Sequence, residues 1–152
     1  MKENQYETIK ENNNIKMKEI IHRNLRKNNI DKCEWIKNNI KSDINIPIQE
    51  EKNFLVFDED ELIGGAIGYI TYNWYFLDLL YVNEKYRGKE IGTKLIKKIE
   101  EIAKELKLTG VRMETWDFQA LDFYKKMGYK IFGEIKDCPP GTICYFLSKY
   151  FE

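Results

Sequence analysis

Residues 53–82 are dense in β-branched and aromatic side chains, and this density constrains the fold more than any other feature of the chain. The sequences DEDE and YN interrupt the run, and polar interruptions of this kind are typical of tight turns. We therefore predict a meander of three strands, at residues 53–57, 62–71 and 74–82. The second strand contains Gly64, Gly65 and Gly68, which predict a β-bulge or a group that packs closely on its backbone.

Periodic patterns on either side of the meander predict further elements. Residues 6–11 alternate apolar and polar side chains, which is typical of a short first strand. Between residues 15 and 40, apolar side chains recur at helical spacing around the break NNID, so we expect two helices, with Asp31 capping the second. Residues 91–106 carry an apolar stripe at a spacing of about 3.6 residues, which predicts a helix of about four turns.

The segments after this long helix complete the predicted order of elements. They indicate a strand, a short helix and two further strands, with the sequences VRMETW, QALDFYKKMG, YKIFGEI and TICYFLSKY. This mixture of strands and helices predicts an α/β fold. A length of 152 residues with 43% apolar and 33% charged residues suits one domain with a hydrophobic core, so we expect residues 1–152 to form a single domain.

The charge of the chain argues against two classes of partner. Its 25 Lys and Arg residues balance 25 Asp and Glu residues, so it lacks the basic field that drives sequence-independent binding to nucleic acids. No apolar run approaches the roughly 20 residues that span a bilayer, and the first residues lack the apolar core of a signal peptide. We therefore expect a soluble protein with neither nucleic acid nor a membrane as partner.

Cysteine and histidine content indicates the compartment and limits the chemistry. Cys33, Cys138 and Cys144 are odd in number, which favours reduced thiols over a disulfide framework and therefore predicts a cytoplasmic protein. His22 is the one histidine of the chain, and no C-x-x-C is present, so the usual zinc ligands are missing and we predict no metal.

A glycine-containing basic loop separates the third strand of the meander from the long helix. Backbone N–H groups without partners and the positive end of the helix dipole converge at such a junction and attract anions. Arg87 and Lys89 add positive charge, and Gly88 and Gly92 allow close approach to the backbone, which suits a phosphate or pyrophosphate. The loop matches neither a P-loop nor a Rossmann motif, and a solvated turn is the alternative interpretation.

The context of this loop carries a resemblance to a known family. The sequence YVNEKYRGKEIGTKLI, followed by ALDFYKKMGYK, resembles the GCN5-related N-acetyltransferase (GNAT) superfamily. The resemblance covers residues 6–150. It implies a mixed, mostly antiparallel sheet of six to seven strands, splayed between strands four and five and flanked by about four helices. It also implies acetyl-CoA as acyl donor, with no metal.

The resemblance assigns cofactor contacts residue by residue. The family motif reads Arg or Gln, two residues, Gly, one residue, then Gly or Ala. Arg87 and Gly92 match its ends, whereas Glu90 stands where the first Gly is usual, and a carboxylate there repels a pyrophosphate unless it turns to solvent. The implied pyrophosphate ligands are the backbone groups of Arg87, Gly88, Lys89, Glu90, Ile91, Gly92 and Thr93. The implied pantetheine and acetyl contacts are Leu80, Tyr81 and Val82, and Asp117 stands where the family often has an Asn that contacts the cofactor.

Two proton-transfer steps of this chemistry have candidate residues in the sequence. Tyr124 matches the family tyrosine that is usually placed near the sulfur, and a phenol can protonate a departing thiolate; the alternative is a tyrosine that only packs. The acceptor amine must lose a proton, and Asp78, inside WYFLDLLYV, is the first candidate base, ahead of Glu114 and Asp117. The alternative for Asp78 is an outward-facing strand residue.

The predicted function is acetyl transfer from acetyl-CoA to a primary amine of a small molecule, by direct attack through a tetrahedral intermediate. Two alternatives remain open. One is acetylation of a protein or peptide at its N-terminus or at lysine, and the other is a CoA-binding module without catalysis. A homodimer is possible.

Overall fold

The computed structural model describes residues 9–40 and 49–152. The chain divides into two units, Met1–Ile48 and Gln49–Glu152. The single domain expected from length and composition stays a prediction. Within the described residues, no helix has the length and apolar character needed to cross a membrane.

The first unit contains the two predicted helices, α1 (Ile15–Ile30) and α2 (Glu34–Asn39). The side chain of Asn14 begins α1, because its oxygen accepts hydrogen bonds from the backbone N–H groups of the first turn at 2.9 and 3.3 Å. The predicted capping role of Asp31 is wrong, since Asp31 ends α1 and Cys33 precedes α2 without a side-chain bond. The predicted strand at residues 6–11 lies partly outside the described residues, and residues 9–11 are not in a strand.

The second unit is one mixed sheet with two helices. Its elements are β1 (Glu50–Glu51), β2 (Phe54–Asp58), β3 (Glu61–Thr71), β4 (Trp74–Val82), α3 (Ile91–Glu105), β5 (Gly110–Trp116), α4 (Leu121–Lys126), β6 (Lys130–Lys136) and β7 (Ile143–Tyr150). Strands β3, β4, β5, β7 and β6 follow one another in space, β1 and β2 both pair with β3, and every pair is antiparallel except β4 with β5. This arrangement confirms the predicted α/β fold with a mostly antiparallel sheet.

Helix α3 covers one face of this sheet and contributes a buried apolar stripe to its core. Its buried stripe is Leu95, Ile96, Ile99 and Ala103. The stripe packs against buried side chains of β4, β5 and β7, which include Tyr75, Leu77, Val111, Met113 and Leu147. Each large side chain buried in this way contributes about 1.5–3 kcal/mol. The packing fixes where α3 begins, directly after the loop that follows β4.

Close packing on Gly68 explains one of the three glycines in β3. The ring of Tyr75 lies over Gly68, and its hydroxyl donates a hydrogen bond to the backbone carbonyl of Lys52 at 2.8 Å. A Cβ on Gly68 would stand 2.4 Å from the Tyr75 hydroxyl oxygen and 2.6 Å from the carbonyl oxygen of Phe76. The pairing of β3 with β4 also changes register next to Gly68, so both predicted explanations apply.

We predict that Gly68→Ala lowers the free energy of unfolding by about 3 kcal/mol, because backbone atoms leave no room for the methyl group. Gly133→Ala is the matched control in β6, since its Cβ would meet only the Phe146 ring at 3.8 Å. We expect the control to change stability by less than about 1 kcal/mol. Urea unfolding of both variants measures the difference, and equal stabilities would contradict the packing argument.

Candidate active site

The parallel pairing of β4 and β5 is short, and a cavity opens where it stops. The strands pair from Trp74 and Gly110 as far as Leu77 and Met113. Beyond that point they pair no further, although β4 continues to Val82 and β5 to Trp116. A cavity of about 940 Å³ is lined by the ends of both strands, the loop after β4, the first turn of α3 and α4. This opening is the splay that was predicted between strands four and five.

A β-bulge at Asp78 reverses the alternation of side chains between the two faces of β4. Leu77 pairs with Gly68 and Leu79 pairs with Ile67, so Asp78 has no partner of its own on β3. Before the bulge, Leu77 faces the core; after it, Leu80 packs on the core and Leu79 is 60% exposed. Because β5 has already stopped pairing, the backbone groups on that side of residues 79–82 have no strand partner. They can bind an extended ligand in the manner of an added strand.

The start of α3 presents backbone donors to the same cavity. The first helical hydrogen bond runs from the N–H of Lys94 to the carbonyl of Glu90 at 3.0 Å. The N–H groups of residues 91–93 precede this bond and have no partner within the helix. The helix dipole adds a partial positive charge at this end. The junction can therefore hold an anion, and it forms one wall of the cavity.

Two loop residues have left-handed backbone conformations, which orient the first turn of α3. Gly88 has φ +77° and Glu90, directly before the helix, has φ +60°. The conformation costs glycine little, whereas a residue with a Cβ pays roughly 1–2 kcal/mol. Glu90 supplies no side-chain cap to the helix. The structure thus shows a physical reason for glycine at the position of Glu90.

The basic side chains of the loop differ in where they lie. The Arg87 side chain donates a hydrogen bond from Nε to the carbonyl of Val82 at 3.3 Å, and Arg87 lines the cavity. The Lys89 ammonium lies 5.1 Å from the centre of the Tyr86 ring, and Lys89 is not part of the cavity wall. The Tyr86 hydroxyl donates to Asp58 at 2.6 Å, and this hydrogen bond raises the pKa of Tyr86 to about 12.

Helix α4 places a buried phenol in the opposite wall. Tyr124 is only 7% exposed and lines the cavity, and burial raises its pKa to about 12. The phenol is therefore protonated at neutral pH. The neighbouring ring of Phe123 lies against the first turn of α3, since a Cβ on Gly92 would stand 3.4 Å from Phe123 Cζ. Phe123 thus connects α4 to the start of α3.

Two of the three candidate bases share the cavity. Asp78 and Glu114 each follow the last residue pair of β4 and β5, both are exposed, and both line the cavity. Asp117 lies outside its wall, and its backbone N–H donates to the carbonyl of Ile143 at 3.0 Å. The geometry therefore favours Asp78 and Glu114 over Asp117 as groups that can reach a ligand in the cavity.

Except for Lys89 and Asp117, the predicted site residues meet at this one cavity. They are Asp78, Leu80, Tyr81, Val82, Arg87, Gly88, Glu90, Ile91, Gly92, Thr93 and Tyr124. Asp117, which stands at the position of the cofactor-contacting Asn of the family, does not line the cavity. Among residues 9–40 and 49–152, no three His, Cys, Asp or Glu residues are grouped closely enough to hold a metal ion.

Two of the wall residues that the sequence did not predict are Cys144 and Gln119. Strand β7 places Cys144 opposite Trp116 in the cavity wall, and burial raises its pKa. The Gln119 side-chain oxygen accepts hydrogen bonds from Thr115 Oγ1 at 3.2 Å and from the Trp116 N–H at 3.1 Å. Neither position lies in a sequence motif. Cys144 reaches the cavity through the pairing of β5 with β7, and Gln119 reaches it through a local turn.

The chain is similar in sequence to known acetyltransferases. The sequence pattern of the Acetyltransferase (GNAT) family matches residues 15–129. Blasticidin-S acetyltransferase of Streptomyces morookaense is 36% identical to the chain over 104 residues, which cover 68% of this chain and 76% of that protein. The matched segments include the loop after β4 and the start of α3.

Solved structures show the same fold. The crystal structure of an acetyltransferase from Bacillus cereus has a TM-score of 0.75 and 29% identity, and the match covers 95% of this chain and 98% of that one. The PaiA N-acetyltransferase of Thermoplasma acidophilum, solved in complex with coenzyme A, has a TM-score of 0.59 and 23% identity. That match covers 67% of this chain and 62% of the other.

We predict that Glu90→Gly raises the free energy of unfolding by about 0.5–1 kcal/mol, because glycine adopts φ +60° without a Cβ penalty. Glu101→Gly, inside the exposed face of α3, is the control and is expected to lower stability by about 1 kcal/mol. Thermal unfolding measures both variants. A loss of stability in Glu90→Gly would show that the glutamate makes a favourable contact that outweighs its backbone strain.

Proposed function

The chain belongs to the Acetyltransferase (GNAT) family, and we propose that it transfers the acetyl group of acetyl-CoA to a primary amine of a small molecule. The observation that carries this proposal is the cavity between β4 and β5. It combines backbone anion donors, a free strand edge and a buried phenol within one space. Those are the features that a phosphate-bearing thioester with amide groups requires.

The cavity wall fits the parts of acetyl-CoA in order. The backbone of residues 87–93 suits the pyrophosphate, because the N–H groups of residues 91–93 precede the hydrogen-bond ladder of α3, although the N–H of Arg87 itself donates to the carbonyl of Glu84. The free edge of β4 at Leu80, Tyr81 and Val82 suits the pantetheine amides. The acetyl group then lies near the bulge at Asp78. A backbone N–H of this edge can polarise the thioester carbonyl, which stabilises the negative charge that develops on its oxygen.

We assign to Tyr124 the role of hydrogen-bond donor and general acid to the departing thiolate. The amine nitrogen attacks the carbonyl carbon, the carbon–sulfur bond breaks, the nitrogen loses a proton to water, and the sulfur takes up a proton. Transfer from a phenol of pKa about 12 to a free thiolate of pKa about 8.5 is unfavourable by roughly 5 kcal/mol. The same buried wall disfavours a free thiolate, so a hydrogen bond from Tyr124 to the sulfur lowers the barrier while the bond breaks.

We assign to Asp78 the role of the base that accepts the proton lost by the acceptor amine before attack. Its position at the bulge, beside the proposed acetyl group, supports this role, and Glu114 on the adjacent strand is the second candidate. Both carboxylates are open to solvent, so the proton can pass directly or through one water molecule. An accessible carboxylate also attracts a cationic amine to the acceptor side of the cavity.

The similarity to blasticidin-S acetyltransferase supports a small molecule as acceptor rather than a protein. The test is turnover of acetyl-CoA with a panel of primary amines, next to peptides that offer a free N-terminus or a lysine. We expect release of CoA with at least one small amine and slower release with the peptides. Faster release with a peptide would move the acceptor to the protein class. Protection of the fold by CoA against heat, without turnover of any acceptor, would indicate a binding module.

We predict that Tyr124→Phe lowers kcat by about 100-fold, a typical effect of losing a general acid, and leaves the KM for acetyl-CoA little changed. The change removes only the hydroxyl, so the ring stays in the wall. Tyr150→Phe is the control, because Tyr150 is 71% exposed and lies outside the cavity wall. Both variants are measured with the best amine of the panel. A wild-type kcat in Tyr124→Phe would leave Tyr124 as a packing residue.

A further inference from the structure

An ion pair with a buried carboxylate lies next to α4, outside the cavity. Lys149 Nζ is 2.9 and 3.1 Å from the two carboxylate oxygens of Glu100, and Glu100 is only 8% exposed. The hydroxyl of Tyr129, which is 2% exposed, donates to the same carboxylate at 3.1 Å. We call these three residues the Lys149 network. It joins β7, α3 and the start of β6.

The Lys149 network also holds the end of α4. Lys149 Nζ donates a third hydrogen bond, at 2.9 Å, to the carbonyl of Met127, the residue that ends α4. The last carbonyls of a helix have no partner within it, and they carry the negative end of its dipole. Because the Glu100 carboxylate holds the Lys149 ammonium in place, the ammonium donates to the Met127 carbonyl from one direction only. The end of α4 is thus located relative to α3.

The network reaches the proposed catalytic phenol through Tyr129. The backbone N–H of Tyr129 donates to the carbonyl of Tyr124 at 3.0 Å. The two rings meet edge to face, with centroids 6.2 Å apart and planes at 75°. On its other side, the Tyr124 ring meets Phe123 at 5.3 Å. Glu100 fixes the Tyr129 hydroxyl, so it limits how far the Tyr124 ring can move.

We propose that Lys149 and Glu100 are positioning residues, which hold α4 and the Tyr129 ring so that the Tyr124 hydroxyl points to the reacting thioester. The proposal rests on the proposed function, because it gives the network its effect through the step that Tyr124 serves. Stability alone does not account for the pair, since apolar residues of similar size stabilise a core as well or better. A hydrogen bond between charged groups constrains the orientation of its donor and acceptor, whereas an apolar contact does not constrain orientation.

A double-mutant cycle tests whether Lys149 acts through the Tyr124 hydroxyl. We expect Lys149→Met to lower kcat about tenfold with the KM for acetyl-CoA changed less than about twofold. In the Tyr124→Phe background, the same change is expected to lower kcat less than about twofold, because no hydroxyl remains to be positioned. An equal loss of kcat in both backgrounds would overturn the proposal.

Lys149→Met leaves the buried carboxylate of Glu100 without its cation, so a second variant separates positioning from folding. Glu100→Leu combined with Lys149→Met removes both charges, and we expect its melting temperature to exceed that of Lys149→Met while its kcat stays low. Recovery of wild-type kcat would overturn the proposal. Lys98→Met is the control, because it removes an exposed ion pair on α3, in which Lys98 lies 3.5 Å from Glu101. We expect the kcat of this control to be unchanged. A tenfold loss of kcat in the control would contradict a specific role of Lys149.

A readout without turnover distinguishes failure of this proposal from failure of the proposed function. NMR of ¹³C-labelled tyrosine rings follows Tyr124 in the protein alone. We expect Lys149→Met to shift and broaden the Tyr124 ring signal, and Lys98→Met to leave it unchanged. An unchanged signal in Lys149→Met would overturn positioning whatever the activity. A shifted signal with a wild-type kcat in Tyr124→Phe would instead refute the catalytic role of Tyr124.

Discussion

The short parallel pairing of β4 with β5 is the constraint on which the rest of the second unit depends. Pairing holds the strands together only as far as Leu77 and Met113, where both side chains enter the core under α3. Beyond this pair, β4 turns over at Asp78 and offers its edge to a ligand instead of to β5. The same two strands thus provide a rigid base and an open cleft, which is a common arrangement for ligand sites between rigid elements.

The cleft is assembled by elements that are each fixed by the core. The buried stripe of α3 sets the position of its first turn, and this turn supplies the anion donors. Helix α4 rests on that turn through Phe123 and holds Tyr124 in the opposite wall. The acetyltransferase proposal therefore depends on packing between helices and sheet as much as on the residues that contact a ligand. The Lys149 network extends this dependence to α4.

Much of the fold was predictable, because the periodic segments are long. The third strand of the meander was predicted with its observed bounds, and the other two within one residue at each end. The cleft and its loop followed from the motif around Arg87 and Gly92. The side of the sheet that Asp78 faces was not predictable, since a bulge resets the alternation. The ion pair of Glu100 was not predictable either, because its partner Lys149 lies 49 positions away and only the tertiary fold brings the two residues together.

We propose that the cavity between β4 and β5 binds CoA with the pyrophosphate at the start of α3. Amide NMR during a titration with CoA, in the absence of an acceptor, tests this binding mode most directly. We expect the largest shifts on the N–H groups of residues 88–93 and of the free edge of β4 at residues 79–82. Shifts confined to the groove of β2 and α3, around Leu55, Lys94 and Lys98, would contradict it.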